Sequence, residues 1–554
     1  MSTNSKNRAN AFLVQGSILA VASILSRLIG LVYRVVLTRI LGDTGNDYYS
    51  AAFSLYNIFL LISSYSLPLA VSKLVSASVA KKEIKNSVRI FKAALIFSFV
   101  TGSIVACICF FGADFLTNNI MKTPMSYYAL KVLAPTLLIV AVAGVIRGYF
   151  QGQGTMIPTA TSQIIEQLVN AAISIIAAIY LSAYGLKIGT VLGNKEQYRA
   201  AFGAAGSTLG TSMGALASIV FLFFLLFVFS KNLRVSRKRR QSSRLDSYSS
   251  IYKMILLTVV PVIMSTTIYN INDFLDQPIY KSIMYALGEA EEHISSNWGI
   301  YNGKYMVLTT VPITIASALS SSVIPSLTAA VNLDDKQLVK QKIGVSIRFI
   351  MVVALPCAVG MGVLASPLLR LLFDESRPLP AIMLQMGAVS IVFYSLSTVT
   401  NGILQGINKM MVPVRNAAIA LLCHVIFLCI FLFIFKFDIY SVILSMIIFS
   451  FVMCLLNSIE VKRATRYRQE IKKTFIIPGI SSLIMGIITF FVYKGIYMVI
   501  KVNIIATIVA IFVAMVVYAV CLLKLKGFTR EELLDIPKGR TIVKLATKFH
   551  LLTD

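Results

Sequence analysis

Apolar stretches long enough to cross a hydrocarbon core about 30 Å thick recur along almost the whole chain, and that pattern constrains the fold more than any other feature. A segment inside lipid must satisfy its own backbone hydrogen bonds, as a helix does. The sequence therefore predicts an all-α integral membrane protein with about fourteen transmembrane helices. Of the 554 residues 57% are hydrophobic and only 13% are charged, which leaves no room for a sizeable soluble domain.

The formal charge of +28 resembles a nucleic-acid signature until its placement is considered. With the N-terminus assigned to the cytoplasm, the even-numbered connections and both tails hold about 35 Lys and Arg residues, against about 10 in the opposite loops, as the positive-inside rule requires. This predicts a multi-pass protein of the bacterial cytoplasmic membrane with both termini inside, and no nucleic-acid partner. The densest basic loop, Lys231 to Lys253, reads as a linker facing lipid headgroups. All seven cysteines fall within apolar spans without CxxC spacing, so neither a disulfide framework nor a zinc site is indicated. No Walker A loop and no HExxH occur, and an ATP-driven pump is unsupported.

An internal repeat organises the spans. RGYFQGQGTMIP from Arg147 matches NGILQGINKMMVP from Asn401, each joining two apolar segments through a QG turn and a proline. LPLAVSKLVSASV from Leu67 is aligned with VPITIASALSSSV from Val311, giving a second match in the same order. Two six-helix lobes in parallel repeat around a central cavity follow, with two C-terminal helices added. The expected divisions are residues 1–230 for spans one to six, 231–253 for the basic linker, 254–459 for spans seven to twelve, 460–524 for spans thirteen and fourteen, and 525–554 for an amphipathic cytoplasmic tail.

Within the first span, Arg27 and Arg34 interrupt otherwise apolar text. Each arginine costs about 2.5 to 3.5 kcal/mol at a helix centre facing lipid, so both must face protein or water. Seven residues is nearly two turns, which puts them on one stripe with Gly16, Ala20, Ser23, Gly30 and Thr38. A small, polar, cationic stripe on an apolar helix suggests a hydrated path for something anionic. The seventh span ends in TIYNINDFLDQPIY, and Arg34 is expected to pair there with Asp273 or Asp276 to close an outer gate in one state and to release in the other, the alternative being two solvated loop aspartates. Glu166, deep in the fifth span beside Gln163, Gln167 and Asn170, calls for an arginine partner from span one or four, or else binds a proton or cation.

The stretch RGYFQGQGTMIPTATSQIIEQLVN, with SRLIGLVYRVVLTRILG in span one, resembles the multidrug/oligosaccharidyl-lipid/polysaccharide exporter superfamily, and within it the branch of lipid II flippases and stage V sporulation proteins. The resemblance covers nearly the whole chain. It implies transport of undecaprenyl-pyrophosphate-linked peptidoglycan precursor between leaflets by alternating access, without enzymatic activity. It assigns Arg27 to the substrate, together with Lys304 at the start of span eight, and Asp47 to the acidic position just after span one. Three regions depart from the Gram-negative-type pattern. Tyr33 stands where a second arginine is usual, with Arg34 one residue later; NIFLLISS lacks the span-two arginine; and His424 and Leu428 occupy the places of sodium ligands.

These readings converge on a flippase for lipid II, with substrate contacts at Arg27, Arg34 and Lys304 and gate or coupling roles for Asp47, Asp273, Asp276 and Glu166. No cofactor is expected, and coupling to Na+ or H+ stays open. Beyond the lipid-linked glycan, the expected partners are membrane lipids and cell-wall synthesis proteins. The competing functions are a flippase for another lipid-linked oligosaccharide, of capsular, teichoic or O-unit type, and a drug or cation exporter, which would want acidic rather than basic groups along its path.

Overall fold

The structure, a computed structural model, describes residues 2–64, 66–238, 245–527 and 547. It is all-α among those residues and divides into two compact units, Met1–Gly303 and Lys304–Asp554. The first holds α1 (Ser2–Ser63), α2 (Leu67–Ala80), α3 (Ile84–Phe111), the single turn α4 (Ala113–Phe115), α5 (Tyr127–Gly152), α6 (Ile157–Leu192), α7 (Lys195–Lys238), α8 (Tyr248–Ala286) and α9 (Glu291–Ile300). The second holds α10 (Met306–Asn332), α11 (Lys336–Val363), α12 (Ala365–Phe373), α13 (Pro378–Gly406), α14 (Met411–Phe433), α15 (Tyr440–Thr465), α16 (Ile477–Ile500) and α17 (Asn503–Lys524).

Among the described residues, 11 segments are long and apolar enough to cross a membrane. The first of them contains two spans, because α1 is not straight. Gly42 has φ 66° and ψ −174°, a conformation open to glycine, and it breaks the helix there. Arg34 and Tyr49 would lie about 22 Å apart on a straight helix, yet the guanidinium carbon sits 4.0 Å from the Tyr49 ring centre. The chain therefore folds back at Gly42. Asn46 satisfies carbonyls released by the break, donating to Gly42 O at 2.6 Å and Thr38 O at 3.1 Å. With both limbs of α1 counted, and with α8 and α10, the helices accommodate the fourteen spans read from the sequence.

The repeat is visible in how helices touch. A Cβ on Gly148 would meet Pro68 O at 2.6 Å, and one on Gly152 would meet Val75 Cβ at 2.7 Å, so this face of α5 lies directly against α2. In the second unit Gly402 and Gly406 of α13 face Ser320 and Leu327 of α10 in the same way. Small residues four apart allow such close approach. These contacts align Pro68 with Ser320 and Val75 with Leu327, an offset of about 252 residues, so Leu67 corresponds to Leu319. The pairing of LPLAVSKLVSASV with Val311 is thus eight residues out of register, because apolar text aligns at several offsets while helix contacts do not.

The division between units falls well beyond the basic linker, since α8 and α9 pack on the first unit. Asp246, just before α8, bonds Asn86 of α3 twice: Asn86 Nδ2 donates to Asp246 Oδ2 at 2.7 Å and Asp246 N donates to Asn86 Oδ1 at 3.1 Å. Arg89 lies 4.3 Å over the Tyr248 ring. Asp246 and Tyr248 of the linker thus touch α3 while residues 245 and 247–250 are exposed, and residues 239–244 and the expected tail helices over 528–552, apart from residue 547, lie outside the described residues.

Candidate functional site

The polar stripe of α1 meets α6. Ser23 Oγ donates to Gln163 Oε1 at 3.5 Å, a Cβ on Gly30 would lie 3.8 Å from Gln167 Oε1, and Asn170 Nδ2 donates to Tyr33 Oη at 3.1 Å. Gln163, Gln167 and Asn170 recur at helical spacing, so a row of amides runs beside the small residues of α1. Val21, Leu28 and Val32 are exposed and provide a face for lipid.

Arg27 is exposed and makes no hydrogen bond or ion pair among the described residues. A guanidinium on an amide-lined helix face with no carboxylate partner retains all five donors for an external anion. Arg34 is more enclosed. Its Nη2 lies 3.3 Å from Asn302 Oδ1, its guanidinium covers Tyr49, and its Nη1 is buried without a partner among the described residues. Arg34 makes no ion pair among the described residues, and the fold-back at Gly42 brings the Tyr49 ring to it instead. Asp276 is 2% exposed, so it is not a solvated loop residue either. The Asp273 side chain lies outside what the structure describes.

The contact that holds α8 against α1 is made by Asp47. Its Oδ1 accepts from Gln277 Nε2 at 2.8 Å, and its Oδ2 accepts from Lys281 Nζ at 2.6 Å and Ser295 Oγ at 2.5 Å. Lys281 also donates to Thr123 Oγ1 at 2.8 Å. Asp47 and Lys281 are 0% and 1% exposed, a fully buried pair whose charges are satisfied only while four chain segments stay together. Removing one partner of such a pair typically costs about 3 to 5 kcal/mol. Nearby, Trp298 Nε1 donates to Ser50 Oγ at 3.1 Å, and Gly299 lies against the Asp43 carbonyl, so α9 is pinned to the same limb. Sequence reasoning passed over Lys281. The available clue was a lone lysine at the end of an apolar helix, on the side where the positive-inside pattern leaves few.

Glu166 has the arginine partner its depth demanded. Arg147 Nη2 donates to Glu166 Oε2 at 2.6 Å and to Ser218 Oγ at 2.7 Å, and Arg147 Nε donates to Ser162 Oγ at 2.9 Å. Lys304 is not an open cation in this structure: its Nζ donates to Glu375 Oε2 at 2.5 Å, and both side chains are more than nine-tenths buried. Arg27 and Arg34 thus share one helix of the first unit, whereas Lys304 belongs to the second and is engaged by a carboxylate the sequence did not single out.

Membrane-crossing helices with glycine-tight repeat contacts, and an arginine on a polar helix face that has no partner among the described residues, describe a multi-pass membrane protein. The chain belongs to the polysaccharide biosynthesis protein family, whose model matches residues 13–331, and a second family model, MatE, matches residues 303–430. Among relatives, stage V sporulation protein B of Bacillus subtilis (strain 168) is 25% identical over 411 residues, covering 74% of this chain and 76% of that protein. The lipid II flippase MurJ of the same organism is 26% identical over 422 residues, 74% of this chain and 75% of the relative. In fold, the chain is similar to a lipid II flippase MurJ in an inward closed conformation, with TM-score 0.65 at 15% identity, covering 91% of this chain and 97% of that one. An inward-facing multidrug resistance MATE family transporter gives TM-score 0.62 at 15% identity over 80% of this chain and 96% of that one.

Proposed function

We propose that the protein is a flippase that moves an undecaprenyl-pyrophosphate-linked peptidoglycan precursor, lipid II, from the inner to the outer leaflet. The observation that carries this reading is the open guanidinium of Arg27 on the amide-lined face of α1. Pyrophosphate presents oxygens that an arginine fork binds bidentately, and the flanking amides suit a sugar-bearing headgroup while the polyprenyl chain stays in lipid. A cation exporter would need a carboxylate in that place. The relative named a lipid II flippase supports the same substrate class. In this reading the buried Asp47–Lys281 contact, in place of an Arg34–aspartate pair, closes the outer end of the first unit.

Rescue of a bacterium depleted of its lipid II flippase tests the proposal. The wild-type chain and Arg27→Lys, which keeps the charge but loses the fork, should support growth, fully and partly respectively. Arg27→Ala should abolish rescue with protein level and topology unchanged. Normal growth on Arg27→Ala at normal abundance would rule the mechanism out.

A further inference from the structure

Three side chains in one short stretch of the second unit, the turn between α15 and α16, have buried polar atoms without a hydrogen-bond partner among the described residues: Tyr467 Oη, Gln469 Nε2 and Thr474 Oγ1. The turn is folded back onto α11. Arg466 ends α15 in the left-handed region at φ 54° and reverses the chain. Glu470 then accepts from Arg348 Nη2 of α11 at 2.5 Å, and the Tyr467 hydroxyl sits where a Cβ on Gly344, one helical turn before Arg348, would lie 3.2 Å from it. Thr474 is 1% exposed, within the single wide helical turn Lys472–Ile476, and its N donates to Glu470 O at 3.3 Å. Each of the three side chains can donate, and burial pushes the Tyr467 phenol up, so it keeps its proton at neutral pH. Buried polar groups are nearly always paired, and three open donors on one turn call for acceptors from outside the chain.

Charge and position narrow what supplies them. From Lys462 to Lys473 there are six Lys and Arg residues and one acid, Glu470, which Arg348 already holds. Ile471, Ile476 and Ile480 are exposed where the chain enters its next membrane-crossing segment, Lys472–Ile500. We propose that this turn is a binding site for an anionic phospholipid: Tyr467, Gln469 and Thr474 donate to the oxygens of its phosphate, Arg468 and Lys472 balance its charge, and the isoleucines meet its acyl chains. Hydrogen bonds to a charged acceptor are roughly twice as strong as neutral ones, so a phosphodiester answers these donors better than water does. A soluble phosphate would supply the same oxygens but leave the isoleucines without a partner. Because the run is basic, the positive-inside rule puts the turn against the cytoplasmic leaflet, whose anionic headgroups attract it further. Glu470 acts as a positioning residue, since its bond to Arg348 keeps the turn on α11. The site belongs to the second unit and needs no particular cargo, so it stands or falls apart from the role of Arg27.

Hydrogen exchange of the full chain in nanodiscs, read by mass spectrometry over residues 466–474, tests the site. Backbone amides of this segment should exchange about tenfold more slowly in phosphatidylglycerol than in phosphatidylcholine. Tyr467→Phe combined with Gln469→Leu keeps the bulk of both side chains and removes two donors, so the difference between the lipids should fall to about twofold. Inorganic phosphate added to phosphatidylcholine nanodiscs should give no protection. Equal exchange of the wild type in both lipids, a comparison that needs no variant to fold, would show that water serves the donors. A double variant still fully protected by phosphatidylglycerol would show surface charge alone at work, and protection by inorganic phosphate would reassign the site to a soluble ligand. Each of these three outcomes overturns the proposal.

Discussion

At the repeated QG turn each unit pins three helices together with buried polar groups, but the two pins are chemically different. In the first unit Arg147 of α5 reaches Ser162 and Glu166 of α6 and Ser218 of α7. In the second, Asn401 occupies the place of Arg147, and the contacts are amide to amide: Asn416 Nδ2 of α14 donates to Asn457 Oδ1 of α15 at 2.9 Å, and Asn457 Nδ2 donates to Asn401 Oδ1 of α13 at 2.6 Å. Charge is still present in the second unit, but at the rim, where Arg415 and Arg463 share Glu460 and are themselves 59% and 71% exposed. The same three-helix junction therefore tolerates an ionic or a neutral solution provided every buried donor finds an acceptor. The ionic version makes the first unit dependent on both partners at once.

The largest expected effect follows from that dependence. Glu166→Ala leaves the part-buried Arg147 with Ser162 and Ser218 but without its carboxylate, which should cost about 3 kcal/mol, the low end for breaking a buried pair, and reduce the yield of monodisperse protein in size-exclusion chromatography. Arg147→Asn combined with Glu166→Gln imports the neutral solution and should recover most of that loss. If the double variant is as impaired as the single one, the two junctions are not interchangeable and the comparison breaks.

In the second unit, Asn457→Ala removes the acceptor of Asn416 Nδ2 and the donor to Asn401 Oδ1, a cost of about 1 to 3 kcal/mol that should appear as a lowered melting midpoint without loss of folded protein. A smaller cost than Glu166→Ala is what distinguishes a neutral pin from an ionic one.

The glycine contacts sharpen the comparison further. A methyl on Gly148 would strike the backbone carbonyl of Pro68, which cannot rotate away, so Gly148→Ala should destabilise by about 1 to 3 kcal/mol. At Gly402 the obstacle is the hydroxyl of Ser320, the end of a side chain, so Gly402→Ala should be repaired largely by Ser320→Ala in the same thermal assay.

The smallest effect concerns Glu375. Burial alone would raise its pKa, but hydrogen bonds from Arg377 and Lys304 outweigh that and hold it at about 2, against an ordinary 4.5. A depressed carboxyl contributes stability above its unfolded value and loses it as pH falls through the folded one. The difference in melting midpoint between wild type and Glu375→Gln should therefore be flat from about pH 5 to 8 and shrink as pH drops from about 4.5 towards 2. A difference that grows on acidification would contradict the assigned contacts.

Much of this molecule was legible in its residues. Apolar length predicted the helices, since hydrocarbon demands internally bonded backbone over a fixed thickness. The seven-residue spacing of Arg27 and Arg34 put them on one small and polar face, and α6 does meet α1 along Ser23 and Gly30 of that stripe. The depth of Glu166 implied a cation, and Arg147 is that cation. These are local consequences of helical periodicity and of the cost of burying charge.

What needed tertiary structure was which charge answers which. Asp273 and Asp276 stood out in the sequence as partners for Arg34, yet the fold-back at Gly42 brings Tyr49 to Arg34, and the buried acid Asp47 is answered by Lys281, more than two hundred residues away in the chain. The resemblance gave Lys304 as a substrate contact, and only the path of the chain through α12 delivers Glu375 to it. The register between repeats was likewise settled by glycine contacts rather than by letters. Periodicity specifies the face of a helix on which a residue lies, because that depends on a rise and a twist common to all helices. It carries no information on which helix packs against that face, because partner choice depends on backbone reversals and side-chain fit summed over the whole unit.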